Sequence, residues 1–573
     1  MDIKRNVLWV IFCTSLFLLW NQWMISQGNP SFFDAPKPEV RNATKATDKA
    51  SDLPPSATAR VPTSASGAAT TALTVPVNGQ NVVLKGEIIS IETDVYKIDI
   101  DTLGGELKRL ELLKFKDGVD VKKNQVLFEQ TAQHTYLAQT GLIGGADFPN
   151  HKSLFVANPG ARKLVDGSNE VQLVLEAVQG GVKLTKTYTF NRGDYNIGML
   201  HQIHNLGSVP ITPTLYAQLV HDGNPPPEDN FFMSSYTGPS VFTPEKKFEK
   251  LKFEDIEKFD ARAKNLGPGK TQEPLHQITS DSGWVALVQH FFVSAIVPKE
   301  QVKREIYTEK VDTNLYRVGY RLPMAAIAPG GSHKADLRMY SGPQIHSLLE
   351  KSAPELDLVK DYNVLTVIAK PMFAVMDFMH GYLGNWGWTI IAFTIAIKLL
   401  FFPLSAAGYR SMAKMKVVTP KMTEIRERHK NDPAKMNQAM MELYKTEKIN
   451  PLGGCFPILI QMPVFLALYW VLQASVEIRN APWIGWIHDL AAPDPWYILP
   501  VLYAASMFAT SKLNPPPADP MQAKMMLYMP LVFSVMFFFF PSGLVLYWVV
   551  NNLLSLAQQY VITKKYAVPE AKK

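Results

Sequence analysis

The segment Gly384–Leu404, GNWGWTIIAFTIAIKLLFFPL, is 21 residues long and almost wholly apolar. That is enough to cross a bilayer as a helix. It also carries a lysine, Lys398, well inside the apolar run. A lysine at the centre of such a helix costs about 2.5–3.5 kcal/mol on insertion scales. Two arrangements relieve that cost. Its stem can carry the ammonium past Leu404 to the interface, or the charge can face a hydrated cavity between helices. Other apolar stretches also hold polar groups: Gln461, Ser506, Ser534, Asn551, Asn552, Gln558 and Gln559, with Thr394 one turn before Lys398. Asn551 and Gln558 are seven apart and share a helix face. Each amide alone is accounted for by a bond between helices, worth about 0.6–2 kcal/mol. As a set they can line an aqueous recess.

The rest of the chain arranges itself around this segment. Lys4 and Arg5 precede an apolar run from Val7 to Ile25, with no small-residue cleavage site after it. Residues 1–27 therefore read as an uncleaved signal anchor with a cytoplasmic N-terminus. Phe12 before Cys13 argues against a lipoprotein site. Residues 28–80, rich in Pro, Ala, Thr and Ser, read as a disordered linker. Residues 81–350 show short alternating runs such as VYKIDIDT and VKLTKTYTF between glycine turns, the pattern of a large β-sandwich, here outside the cytoplasm. Residues 354–380 change to helical spacing through Leu365, Ile368, Met372, Val375, Met376 and Met379, which predicts an amphipathic helix on the outer interface.

Residues 405–450 hold ten Lys or Arg against five acids. A loop this basic beside apolar spans belongs in the cytoplasm. Its Lys430-Asn-Asp-Pro433 turn predicts an antiparallel helical hairpin. Further spans are expected at 451–474, 495–512, 523–541 and 543–563, with a cytoplasmic tail over 564–573. The apolar runs Trp496–Ser511 and Met525–Phe540 are 16 residues each. At 1.5 Å per residue they reach about 24 Å, short of a ~30 Å hydrocarbon core. The count is six spans with both termini in the cytoplasm.

Signs of catalysis are few. The two cysteines, Cys13 and Cys455, both lie in apolar runs, so no disulfide framework supports the β-domain. His201 and His204 would point to opposite faces of a strand, a poor metal pair. Pro329-Gly-Gly-Ser-His-Lys334 lacks the Walker spacing, and no nucleophile elbow is present. No cofactor, metal or catalytic residue is expected. The net charge of +7 gathers in the loop beside the membrane, so no sequence-specific nucleic-acid partner is expected. The 22 methionines, many in the hairpin and the spans, suit adaptable apolar contact.

From Phe373 to Tyr560 the chain closely resembles the YidC insertases of Gram-negative bacteria, within the Oxa/YidC/Alb family. The resemblance rests on GNWGWTII (384–391), SMAKMK (411–416), LYKTEKINPLGGCFPILIQMPVFLALY (443–469), WIHDL (486–490), DPWYILP (494–500), DPMQ (519–522) and FPSGLVLYW (540–548). It implies a fold of six transmembrane helices, five of them a core with a hydrophilic groove, plus a large all-β periplasmic domain of the β-supersandwich kind. It implies a non-enzymatic insertase and chaperone for nascent inner-membrane proteins, acting alone or with the Sec translocon. Lys398 falls where many members carry arginine. It keeps the charge without the bidentate fork. Thr394, Gln461, Ser506, Ser534, Tyr547, Trp548 and Asn551 are the implied groove companions, Trp548 standing where a second tyrosine is common. Arg410, Lys414, Lys416, Lys421, Arg426 and Arg428 are the implied contacts for substrate, ribosome or signal-recognition machinery. A small-solute transporter and a membrane-anchored outer enzyme are the rivals. The first lacks paired broken helices or an internal repeat. Deleting the β-domain would separate the second.

Overall fold

The computed structural model describes residues 73–566, apart from 78–79, 146, 225, 227–235, 266–271, 361, 363–364, 430–431, 448–455, 514–527, 529–531 and 533. The anchor over 1–27, most of the linker over 28–80, about half of the span at 523–541, both cysteines and most of the tail lie outside the described residues. The end of the expected linker is not structureless: Leu73–Val77 pairs antiparallel with Gln80–Leu84.

Residues 88–343 form two antiparallel sheets, of nine and ten strands. In the first, Asn196–Asn205 lies between Val182–Asn191 and Ser332–Pro343. Its alternation carries Ile197, Met199, His201 and Ile203 inward while His204 faces out, so the two histidines do diverge. Val171, Leu173, Leu175 and Leu184 of this sheet share one core with Ile98, Leu107, Leu110, Leu215, Leu219 and Val318 of the other. Each such side chain contributes about 1.5–3 kcal/mol on leaving water. The domain also carries helix α1 (Phe253–Lys264) and ends in α2 (His346–Ser352).

The expected helix over 354–380 is shifted. Pro354, a left-handed Glu355 (φ 58°) and a 3-10 turn at Leu356–Val359 come first, and α3 runs Thr366–Leu383. One face of α3 (Ala369, Met372, Phe373, Met376) is buried among helices. Val367, Val375, Phe378 and Tyr382 on it are exposed. Gly384 ends the helix in the left-handed region (φ 64°), its N–H donating to His380 O at 2.8 Å. Asn385 Oδ1 then accepts from Trp388 N at 3.1 Å and caps α4 (Trp386–Leu400). The dipeptide Gly-Asn thus closes one helix and opens the next.

The segment 384–404 is not one straight helix. α4 stops at Leu400, and α5 (Phe402–Arg428) departs from it at 67°. Pro403 is the physical reason. It lacks an amide hydrogen and is tolerated only in the first turn of a helix, where it stands in α5. Among the described residues no single helix is long and apolar enough to cross a membrane. The α4–α5 pair meets the length and apolarity needed only together, and Gln461–Ala474 and Ile498–Leu513 are shorter apolar helices.

Among the described residues, the longer helices that follow are α6 (Pro433–Thr446), α7 (Phe456–Ala474), α8 (Ile498–Leu513) and α9 (Ser542–Tyr566). Asp432 Oδ1 caps α6 by accepting from Lys435 N at 3.1 Å. Lys421 Nζ reaches Glu447 Oε1 at 2.6 Å across the α5–α6 pair. Asp494 is buried, its carboxylate accepting from the amides of Trp496 and Leu499 at the start of α8 and from Trp486 Nε1. The connection after α7 joins the two parts of the chain. In its 3-10 turn Val476–Ile478, Val476 enters the β-domain core and Ile478 the helical core. Arg479 lies over the Phe291 and Phe292 rings and donates to Gln125 Oε1 at 3.0 Å.

Candidate functional site

α4 presents Thr389, Ile390, Phe393, Thr394 and Lys398 as a buried face. Thr394 bonds back to Ile390 O at 2.6 Å, which removes its hydroxyl's demand for a partner on another helix. One turn on, Lys398 is 6% exposed and its Nζ donates to Ser555 Oγ of α9 at 2.7 Å. Among the described residues no carboxylate pairs with it. The ammonium is therefore held inside the bundle by a neutral hydroxyl and has no counter-ion there.

Around it the helices are joined by side-chain hydrogen bonds. Gln461 Nε2 of α7 donates to Asn551 Oδ1 of α9. Asn552 Nδ2 reaches Ser506 Oγ of α8 at 3.4 Å, while Ser506 Oγ donates to Tyr503 O at 2.7 Å. Ser555 donates to Asn551 O at 2.8 Å. Tyr547 is 2% exposed, its hydroxyl buried beside Gln461, and Trp548 Nε1 is buried without a hydrogen-bond partner among the described residues. The Trp548 ring packs edge-on against Phe465 (4.5 Å), Tyr503 (5.6 Å) and Phe537 (5.6 Å). At this position an indole fills space that a phenol would share with a hydroxyl. Ser534 is buried at the start of the 3-10 turn Val535–Phe538.

The eight groove candidates thus separate. Lys398 and Thr394 share a face of α4. Gln461 and Asn551 bond to each other, and Ser506 bonds to the neighbour of Asn551. Trp548 belongs to an aromatic cluster. Ser555 and Asn552 carry bonds that the candidate set did not include. The signal for Ser555 was available: it lies one turn after Asn551, on the face that leads to Gln558.

The basic candidates lie on α5. Arg410, Lys414, Lys421 and Arg428 are exposed, and Arg426 is half-buried. Arg428 pairs with Glu424 one turn earlier at 2.8 Å. The side chain of Lys416 lies outside the described residues. Exposed pairs of this kind contribute little to stability, so the face remains a charged surface.

Two trios in the β-domain and at its end bring possible metal ligands within 4.8 Å of one another: His134, His221 and Asp222, and His346, Glu350 and Asp357. In the second, Lys370 Nζ sits 3.0 Å from Asp357 Oδ2 and competes with any cation. In the first, His134 Nδ1 bonds to Asp222 Oδ2 at 2.8 Å, an oxygen that also accepts from Thr135 N. Burial opposes charge on the His134 ring, but the bonded Asp222 outweighs it and holds the imidazole's pKa above its usual value. Burial likewise opposes the Asp222 carboxylate, but His134, His221 and the Thr135 amide together outweigh it and hold this carboxyl below its usual range. The pair's stabilisation is present below the ring's unfolded value, about 6.5, and is lost as pH rises through the raised folded value. It is also lost at the acid end as Asp222 protonates. The melting temperature of His134→Gln in detergent should therefore fall furthest below wild type near pH 6, and the gap should close toward pH 9 and toward pH 3.

Comparison with known families fits this division of the chain. The family model described as the YidC periplasmic domain matches residues 88–375, and that described as the 60Kd inner membrane protein matches residues 378–570. The chain is thus an inner-membrane protein with a periplasmic all-β domain. It is 56% identical over 588 aligned positions to a membrane protein insertase YidC of Herminiimonas arsenicoxydans, covering all of both chains. It is 55% identical to one of Janthinobacterium sp. (strain Marseille), covering 99% of this chain and all of that one. A crystal structure of an active YidC insertase with its first transmembrane domain resolved aligns over 85% of this chain and 94% of that chain, at 18% identity and a TM-score of 0.38. The chain belongs to the YidC membrane protein insertase family, whose members are insertases and not enzymes.

Proposed function

We propose that this insertase receives nascent inner-membrane proteins in a hydrophilic groove between α4, α7, α8 and α9, open to cytoplasm and lipid. Six spans with both termini cytoplasmic place the groove in the inner leaflet, the β-domain in the periplasm and the α5–α6 hairpin in the cytoplasm. The observation that carries this reading is Lys398: a buried ammonium with no carboxylate partner among the described residues is short of an anion. An acidic residue in the hydrophilic end of a substrate supplies one. The exposed bases of α5 make first contact with the substrate, the ribosome or signal-recognition machinery, and the Sec translocon works beside the periplasmic domain.

No ATP is needed. About 20 apolar residues, at roughly −0.3 to −0.6 kcal/mol each, outweigh one or two charges at about +3 kcal/mol. The membrane potential adds about 2.3 kcal/mol per 100 mV for each acidic charge moved outward. The short apolar helix α8 suits a locally thinned bilayer, which shortens the polar crossing. Purified protein in liposomes should protect the acidic tail of a short single-span substrate from external protease. Protection no greater than with empty liposomes would refute the reading, and saturable flux of a small solute instead would favour a transporter.

A further inference from the structure

We propose that Ser555 is the positioning residue that fixes the Lys398 ammonium in the groove, an inference that rests on the reading of Lys398 as the substrate-facing charge. A serine hydroxyl has one proton to give and two lone pairs to receive with. The proton of Ser555 goes to Asn551 O, one turn back on α9, at 2.8 Å. The hydroxyl can therefore only accept from Lys398 Nζ, which reaches it from α4 at 2.7 Å. That one bond ties α4 to α9 at a single oxygen. Lys398 spends one of its three N–H bonds on Ser555. The other two remain for the carboxylates or carbonyls of an entering segment.

The geometry explains why a flexible lysine serves here. A four-carbon stem has about 2 kcal/mol of rotamer entropy and tends to carry its ammonium to the nearest water. Lys398 is six residues from Leu404, close enough to the cytoplasmic interface to snorkel. Ser555 holds the ammonium against α9 instead. One turn earlier on that helix, Asn551 receives Gln461 from α7, so neighbouring turns of α9 fix both the charge and the polar wall beside it.

The test uses the full chain in liposomes with two single-span probes, one with an acidic tail and one with its acids replaced by glutamine. Ser555→Ala should raise the half-saturating concentration of the acidic probe about five- to tenfold, the scale of one ordinary net hydrogen bond, with the maximal rate unchanged. The neutral probe should be unaffected, Ser555→Thr should restore the wild-type value, and Ser555→Ala should add nothing in a Lys398→Ala background. An equal loss on both probes, or a loss that persists without Lys398, would make Ser555 a packing residue and overturn the proposal. So would wild-type behaviour of Ser555→Ala while Lys398→Ala is impaired, which leaves the groove reading standing. If Lys398→Ala itself handles the acidic probe normally, the groove reading falls and this proposal with it.

Discussion

Lys398→Glu should slow insertion of an acidic-tailed single-span substrate about 100-fold, and Lys398→Ala about tenfold, with a neutral-tailed substrate changed by less than about twofold. The magnitudes follow from Coulomb's law in a wet recess. Two unit charges 4 Å apart interact by about 1 kcal/mol in bulk water and about 4 kcal/mol at an effective dielectric constant near 20. A hydrated groove walled by protein lies toward the lower end. Losing about 1.4 kcal/mol of attraction costs a factor of ten. Glutamate replaces that attraction with a repulsion of similar size, hence the second factor of ten. Lys398→Arg keeps the charge and should retain most activity, because a general attraction does not need the guanidinium's paired geometry. Protease protection of the tail in reconstituted vesicles measures all four. Equal protection would show that the charge does no work in insertion, leaving groove hydration and the short apolar helices to account for it.

The elements that local patterning controls were legible in the sequence. Strands such as Glu170–Gln179 alternate buried and exposed residues along their length, so period two revealed the β-domain. The break at Phe401 was also legible in principle, since Pro403 has to open a helix. Apolarity across 384–404 masked it, because hydropathy does not register backbone direction. Contacts between distant residues were not legible. Lys186 sits in the strand Val182–Asn191, where period two puts a charge on the apolar face beside Leu184 and Tyr188 without showing what receives it. It is buried, donating to Gly104 O and Thr140 O, near a buried Glu106. Burial pushes the lysine down to about 7 and the glutamate up to about 7. Around Lys398, the sequence drew attention to the charge and to polar residues such as Thr394 and Asn551. It did not show which hydroxyl meets the ammonium, since Ser555 lies 157 positions away. Glu477, Arg479 and Asp494 stand in sequence as a few charges between two apolar runs. In the fold they are a junction and a helix cap.

That junction yields the second large effect. Lys360 follows the 3-10 turn at the end of the β-domain, with a side chain 2% exposed. Glu477, 16% exposed, sits in the turn after α7. Lys360 Nζ lies 3.2 Å from both carboxylate oxygens and 4.1 Å from the centre of the Phe373 ring on α3. Burial opposes the lysine's charge and draws its pKa below the usual value, while Glu477 pulls the other way. Removing one partner leaves a buried charge without compensation. Lys360→Ala should therefore destabilise the junction by about 3–5 kcal/mol, seen as a lower melting temperature in detergent and faster proteolysis around 360–364 and 474–480. Replacing both partners by apolar residues of similar size, Lys360→Met with Glu477→Leu, should recover most of that loss, because the desolvation penalty disappears with the charges. A double variant as unstable as Lys360→Ala alone would mean that the pair supplies net attraction beyond its cost. Lys421, whose pair with Glu447 is largely exposed, is the control: Lys421→Ala should leave the melting temperature nearly unchanged. Val476 and Ile478 flank Glu477, one in each core, so breaking this ion pair loosens the same turn that fastens the periplasmic domain to the helices. Insertion by Lys360→Ala then measures what that fastening contributes, and insertion by the double variant what the charges contribute. A stable junction with reduced insertion would assign the charges a role beyond holding the two parts together.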